Sequence, residues 1–255
     1  MIINTLAIVG TGLIGGSFSL ALKQAGAVHE VLGVGRNTAK LTLARELGLI
    51  EPHLKPGAII TDAGSTKANV VEVARTVLGE RFADFVPGHP IAGSEQSGPS
   101  AARVDLYQTR KVVLTPLADT RAEAVATVRA LWEAAGAQVE TLDAALHDRV
   151  FAAVSHLPHL AAYALVDELA QRADSDVFFR FAASGFRDFT RIAGSSPEMW
   201  RDIALSNRDA LLTEMDAYLA ALQTLRQAVA EQDAHTLLEL FSRARAARVN
   251  WIDTQ

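Results

Sequence analysis

The chain has 255 residues, 49% hydrophobic, 21% charged and 6% aromatic, with 29 acids against 24 bases for a formal net charge of -5. That composition excludes disorder and low complexity, and the absence of any basic block disfavours a nucleic-acid footprint. With no cysteine, disulfides, thiolate metal sites and cysteine nucleophiles are excluded together.

The opening stretch MIINTLAIVG lacks a basic n-region and ends in a glycine turn, so it does not read as a signal peptide. No uninterrupted apolar run reaches the roughly 20 residues of a membrane helix. The expectation is a cytoplasmic protein with no membrane and no nucleic-acid partner. Residues 3–10 read as a buried strand, 13–25 as a helix closed by Gly26, and 30–35 as a second strand. A second helix follows over 38–48, with Thr38 as N-cap. After the Pro-Gly turn come the strand AIITD, the turn GST and a helix over KANVVEVARTVLG. Strands at 84–87 and 111–115, a helix at 120–135 and a strand at 137–142 complete an alternation that predicts a mostly parallel sheet covered on both faces. From Asp143 onward the pattern is helical and alanine-rich, over 144–172, 175–184, 197–231 and 233–252. The reading is α/β: a Rossmann-type dinucleotide-binding domain over 1–143, then an all-α domain over 144–255 for substrate and dimerisation. Long helices in so short a segment bury apolar faces against a partner subunit.

Gly10-Thr11-Gly12-Leu13-Ile14-Gly15 is a G-x-G-x-x-G between the first strand and the first helix. The three glycines allow the tight turn, the close approach of a pyrophosphate and the close packing of helix on strand. The helix N-terminus adds free N–H groups and a positive dipole end. At the end of the second strand, Gly33-Val34-Gly35-Arg36-Asn37 offers no acid for a ribose 2′-hydroxyl. Arg36 suits a 2′-phosphate instead, so NADP is the expected cofactor, with NAD as the alternative. The seven histidines are scattered, and no metal constellation is evident.

Five further stretches place polar or glycine residues where a core prefers apolar ones. They are Asp62–Lys67 (DAGSTK), Gly88–Gly98 (GHPIAGSEQSG), Ser155–His159 (SHLPH), Gly185–Arg191 (GFRDFTR) and Pro197–Asp202 (PEMWRD). In this order, and over nearly the whole chain, they resemble the prephenate/arogenate dehydrogenase family of tyrosine biosynthesis. The resemblance implies oxidative decarboxylation of a cyclohexadienyl alcohol, with hydride passing to a nicotinamide and the ring becoming aromatic. It implies His89 as general base, a role suited to neutral imidazole. Ser65 would orient that histidine, Arg191 would bind a substrate carboxylate through its planar fork, and His159 would hold the other end of the substrate. Ser94, Glu95, Arg187 and Trp200 would line the same pocket, Trp200 reaching a partner subunit's site. A homodimer through the helical domain is expected. Prephenate and arogenate stay open as substrates.

The family pattern carries a further strand–helix unit of about 30 residues that is missing here near residues 50/51. Excision of a central unit would expose an apolar sheet edge, which favours a segment absent from the sequence rather than from the protein. An intact mass of 27.3 kDa would establish a true deletion. Two other readings stay open on the residues alone: another two-domain NAD(P) dehydrogenase of the hydroxyacid or pyrroline-carboxylate type, and an inactive nucleotide-binding homologue.

Overall fold

A computed structural model of the chain describes residues 1–9, 13–34, 57–93 and 99–253. They form two compact units, Met1–Asn207 and Arg208–Gln255. The helix expected at 38–48, with its Thr38 cap, lies outside the described residues.

The first unit begins with β1 (Ile3–Val9), α1 (Leu13–Gln24) and β2 (Val28–Val34). β1 and β2 are parallel, in register from Ile3 against Val28 to Val9 against Val34. Gly26 closes α1 at φ +62. The Gly26 N–H donates to the Lys23 carbonyl and the Ala27 N–H to the Leu22 carbonyl, the paired bonds of a left-handed glycine cap.

Next come β3 (Ile60–Thr61), α2 (Ala68–Leu78), β4 (Phe85–Val86) and β5 (Gly88–Pro90). β6 (Lys111–Leu114), α3 (Ala122–Ala134) and β7 (Gln138–Thr141) follow. β3 pairs with β4 in parallel, β5 with β6 antiparallel, and β6 with β7 in parallel. The mostly parallel sheet expected from the sequence is therefore divided, among the described residues, into three short sheets. Pro87 separates β4 from β5 and has no N–H for a ladder. Past it the chain leaves β3 and takes β6 as its partner. The stretch Gly88–Pro90, beyond the strand expected at 84–87, is thereby a strand.

The core of this α/β part stacks Phe18 of α1 on Trp132 of α3, ring centroids 4.0 Å apart, with Tyr107 edge-on to both. Buried Leu22, Val86, Val112, Leu114 and Val128 surround them.

The helical part of the unit opens with α4 (Ala144–Phe151), started by Asp143, whose carboxylate accepts the N–H of Ala145 and Leu146. A π-helical turn over Ala152–His156 leads into α5 (Leu157–Ala170). Pro158 explains the turn: it has no N–H to continue the ladder, and the Leu157 N–H reaches five residues back to the Ala152 carbonyl. α6 (Ser175–Phe181), α7 (Ser184–Thr190) and α8 (Pro197–Ser206) complete the unit. α7 was not anticipated, and the helix expected over 197–231 breaks at Asn207. By length and composition alone, the helical run 144–170 would suffice to cross a membrane, contrary to the sequence expectation. Its first turns carry buried His147 and Asp148 in contact with the sheet part, while 22% of its most apolar stretch is buried.

The second unit is a helical hairpin, α9 (Arg208–Ala230) and α10 (Ala234–Asp253). Leu211 and Ala228 are its buried apolar residues, whereas Leu212, Leu219, Leu222, Val229, Leu238 and Phe241 are exposed.

Candidate active site

Two turns and one helix converge on His89. β5 carries this histidine, with His89 opposite Val113 of β6. The turn before α2 brings Asp62 and Lys67 beneath the strand. Lys67 is fully buried and ion-paired with Asp62. Its Nζ donates to the Gly88 carbonyl at 2.6 Å. Asp62 in turn accepts the N–H of Gly64 at 2.8 Å and of Gly88 at 3.0 Å. The strand bearing His89 is thus clamped to the Asp62–Lys67 turn by one buried ion pair. Burial lowers the Lys67 ammonium below its usual range, against the raising influence of Asp62.

α4 closes the other side. Nδ1 of His89 lies 2.8 Å from Nε2 of His147, and Nδ1 of His147 lies 2.8 Å from Oδ1 of Asp148. Asp148 accepts the backbone N–H of Lys67 on Oδ1 and of Ala68 on Oδ2, both at 2.8 Å. It therefore caps α2 from a distant helix. Burial alone would raise the Asp148 carboxyl. The His147 bond and the two backbone bonds outweigh it and hold the group below the usual carboxylate range. Burial, helped by the nearby His147, Lys67 and His156, pushes the His89 imidazole down to about 3 against the pull of Asp148. His89 is neutral at physiological pH.

A second cluster lies on the π turn and α5. His156 is buried, and Nδ2 of Asn207 sits 3.1 Å from its Nδ1 and donates to the Asp148 carbonyl at 2.8 Å. Burial lowers the His156 pKa to about 4. His159 donates from Nδ1 to the Ser155 carbonyl at 2.9 Å and stacks on Trp200, ring centroids 3.6 Å apart. Burial lowers its pKa, and the cationic Arg191 lowers it further against the Ser155 bond. His159, Trp200 and Arg191 therefore share one neighbourhood.

Of the other expected site residues, Ser65 is half-buried in the clamped turn, while Arg187 and Arg191 are exposed. Gly10, Thr11, Gly12, Arg36, Asn37, Ser94 and Glu95 lie outside the described residues. Leu13, Ile14 and Gly15 form the first turn of α1. Tyr107 donates to the Ile14 carbonyl at 2.6 Å. That turn carries no acidic residue, which suits an anion at the positive helix end. The described residues fit the pyrophosphate of a dinucleotide there.

Sequence reasoning missed His147, Asp148, Asp62 and Asn207. On α4 the polar pair faces inward, while Leu146 and Val150, and Val154 of the π turn, are 38%, 36% and 67% exposed. An apolar stripe turned outward, opposite an inward His-Asp pair, reverses the usual amphipathic rule. The adjacent His-Asp pair in an otherwise apolar helix start was the available signal.

Comparison with known proteins bears directly on this site. Residues 50–141 match the family description "Prephenate dehydrogenase, nucleotide-binding domain", and residues 143–243 match "Prephenate dehydrogenase, dimerization domain". A cyclohexadienyl dehydrogenase of Zymomonas mobilis is 39% identical over 80% of this chain and 71% of its own length. This chain belongs to the prephenate dehydrogenase family. A prephenate dehydrogenase of Bacillus subtilis is 34% identical over 280 residues, covering 96% of this chain and 75% of its own. An alignment longer than this chain means that the relative carries residues with no counterpart here. Among solved structures, prephenate dehydrogenase from Aquifex aeolicus, in complex with hydroxyphenyl propionate and NAD+, is 33% identical with a TM-score of 0.85, covering 97% of this chain and 98% of that one. Synechocystis arogenate dehydrogenase is 29% identical with a TM-score of 0.77, covering 97% and 99%. The protein is a nicotinamide-dependent dehydrogenase of tyrosine biosynthesis.

Proposed function

We propose that the protein oxidatively decarboxylates prephenate, arogenate or both, with His89 as general base and NADP as cofactor. The observation that carries this is the buried, neutral His89, fixed on a clamped strand within a motif of the family. Bound nicotinamide supplies the two-electron acceptor for the ring carbon's hydride.

The protein's own groups do the rest. Neutral His89 accepts the proton of the substrate hydroxyl at Nε2 as the ring carbon is oxidised. The two carboxylates of such a substrate bring negative charge beside the imidazole, which raises its basicity. Ser65, in the turn below, orients the hydroxyl. Arg191 pairs with one carboxylate through its fork, beside His159 and Trp200, with Arg187, Ser94 and Glu95 completing the pocket. Loss of the ring carboxylate as CO2 then makes the ring aromatic. Leu13, Ile14 and Gly15 hold the cofactor pyrophosphate together with Gly10, Thr11 and Gly12. Arg36, with Asn37, takes the 2′-phosphate, because the chain after β2 offers no acid. The NAD+ in the Aquifex relative keeps NAD as the alternative.

The domain boundary is proposed at 143/144, within two residues of where the first family match ends, at 141, and the second begins, at 143. The segment without counterpart is placed near 50/51, where the nucleotide-binding match begins. A homodimer through the helical domain accounts for the exposed apolar residues of α9 and α10. Localisation is proposed as cytoplasmic.

The test crosses prephenate and arogenate with NAD+ and NADP+ and follows reduced nicotinamide by absorbance. Turnover with either substrate supports the reading, and preference for NADP+ that reverses in Arg36→Asp supports the cofactor assignment. Failure of folded protein in all four combinations overturns it in favour of an inactive nucleotide-binding homologue.

A further inference from the structure

We propose that His147 and Asp148 are positioning residues that set the tautomer of His89 and so leave its Nε2 bare; this rests on the reading of His89 as the base. Asp148 is held by two backbone N–H groups, from Lys67 and Ala68, each at 2.8 Å. An ionised carboxylate only accepts. The 2.8 Å contact to His147 therefore requires the hydrogen to sit on His147 Nδ1. With His147 taken as neutral, its one N–H lies on Nδ1 and its Nε2 is an acceptor. The next contact, 2.8 Å to Nδ1 of His89, needs its single hydrogen on the His89 side. His89 is then protonated at Nδ1 and bare at Nε2.

Further contacts brace these hydrogen-bonded groups. Asn207 donates to the backbone carbonyl of Asp148 at 2.8 Å. The Phe151 ring packs edge-on to His89, centroids 4.8 Å apart, and against His147 at 4.5 Å. Among the described residues, the charged and titratable groups facing His89 are Lys67 from the turn before α2, His147 and Asp148 from α4, and His156 from the π turn. Lys67 is engaged by Asp62 and by the Gly88 carbonyl, so the acceptor on this side of His89 is His147. When His89 takes the substrate hydroxyl proton, the O–H bond breaks and an N–H bond forms at Nε2. The resulting imidazolium keeps its Nδ1–H on His147, whose own proton stays on Asp148. The geometry makes Asp148, three hydrogen bonds deep, the origin of the orientation.

The test uses the full chain and two independent readouts. Side-chain 15N spectra of the wild type, with His89 assigned through His89→Asn, should show Nδ1 protonated and Nε2 bare. Steady-state kinetics should show His147→Phe, which keeps a ring but no acceptor, with kcat lowered about 100-fold or more. Substrate KM and cofactor affinity should stay within about threefold, because neither is held by His147. His147→Gln, whose amide oxygen can accept from His89, should recover at least about tenfold of that loss. A wild-type spectrum with His89 protonated at Nε2 overturns the proposal whether or not any variant folds. So does His147→Phe turning over at the wild-type rate while His89→Asn is inactive. Wild-type turnover in His89→Asn would instead overturn the base itself, which separates the two failures.

Discussion

Asp148 holds the start of α2 from 81 residues away, its Oδ1 accepting the backbone N–H of Lys67 at 2.8 Å. The same carboxylate orients His147. One side chain thus joins the helical part of the first unit to the turn that carries the site.

Replacing Asp148 should therefore cost stability as well as turnover. Asp148→Ala strips two helix N-terminal N–H groups and one imidazole N–H of their acceptor. A cap is worth about 1 kcal/mol and a bond to a charged group about 1.5–3 kcal/mol, so a loss of about 3 kcal/mol is expected in urea unfolding. Asp148→Asn keeps an acceptor oxygen and should lose about half as much. A loss below about 0.5 kcal/mol for the alanine variant would show that the cap is idle.

The clamp beneath His89 should behave as a coupled pair. Lys67→Met leaves Asp62 without its cation in a largely buried turn, at a cost of about 3–5 kcal/mol. Adding Asp62→Asn should restore part of the loss. A double-mutant cycle should return a coupling above about 1 kcal/mol. Strict additivity would mean that the two groups do not sense one another.

Acid should destabilise the fold before it protonates the surface carboxylates. Burial lowers His89 to about 3 and His156 to about 4 from the usual 6.5. The unfolded chain therefore binds more protons than the folded one between those values, and stability falls as pH drops below 6.5. Each histidine should withdraw about 2 kcal/mol between pH 7 and 5. Below about pH 4, Asp148 adds to the fall, since its carboxyl is held below the usual range and its contribution is lost on protonation. Urea unfolding at pH 7 and 5 measures the slope, and His156→Gln should flatten it. Equal stability at both pH values would contradict the buried, neutral histidines.

Arg191→Ala should act on substrate rather than on fold. The side chain is exposed, so unfolding should shift by less than about 0.5 kcal/mol. Loss of a charge-assisted carboxylate contact should raise substrate KM about 10- to 100-fold, with cofactor affinity unchanged. An unchanged KM would remove Arg191 from the substrate site.

The glycine cap at Gly26 and the strand–helix alternation of the first part were legible because they are local. A left-handed cap needs glycine, and period-2 and period-3.6 patterns report their own burial. The motif histidines were legible as residues that a core would not choose. The length of β5 was not, because the strand forms through a partner, β6, that follows more than 20 residues later. The π turn before α5 follows from Pro158 within a helix that tertiary packing keeps continuous. The break at Asn207 likewise depends on its bonds to His156 and Asp148.

By itself, the sequence determined the class of fold, the order of its elements and the set of chemically distinctive residues, since propensity, periodicity and side-chain type act over a few residues. Only the tertiary structure decided which of those residues meet. Lys67, His89, His147 and Asp148 come from three separate segments. Their pairing requires α4 to turn its polar face inward and leave Leu146, Val150 and Val154 outside. Asp148 gains its three hydrogen bonds only once the turn before α2 has supplied its N–H groups.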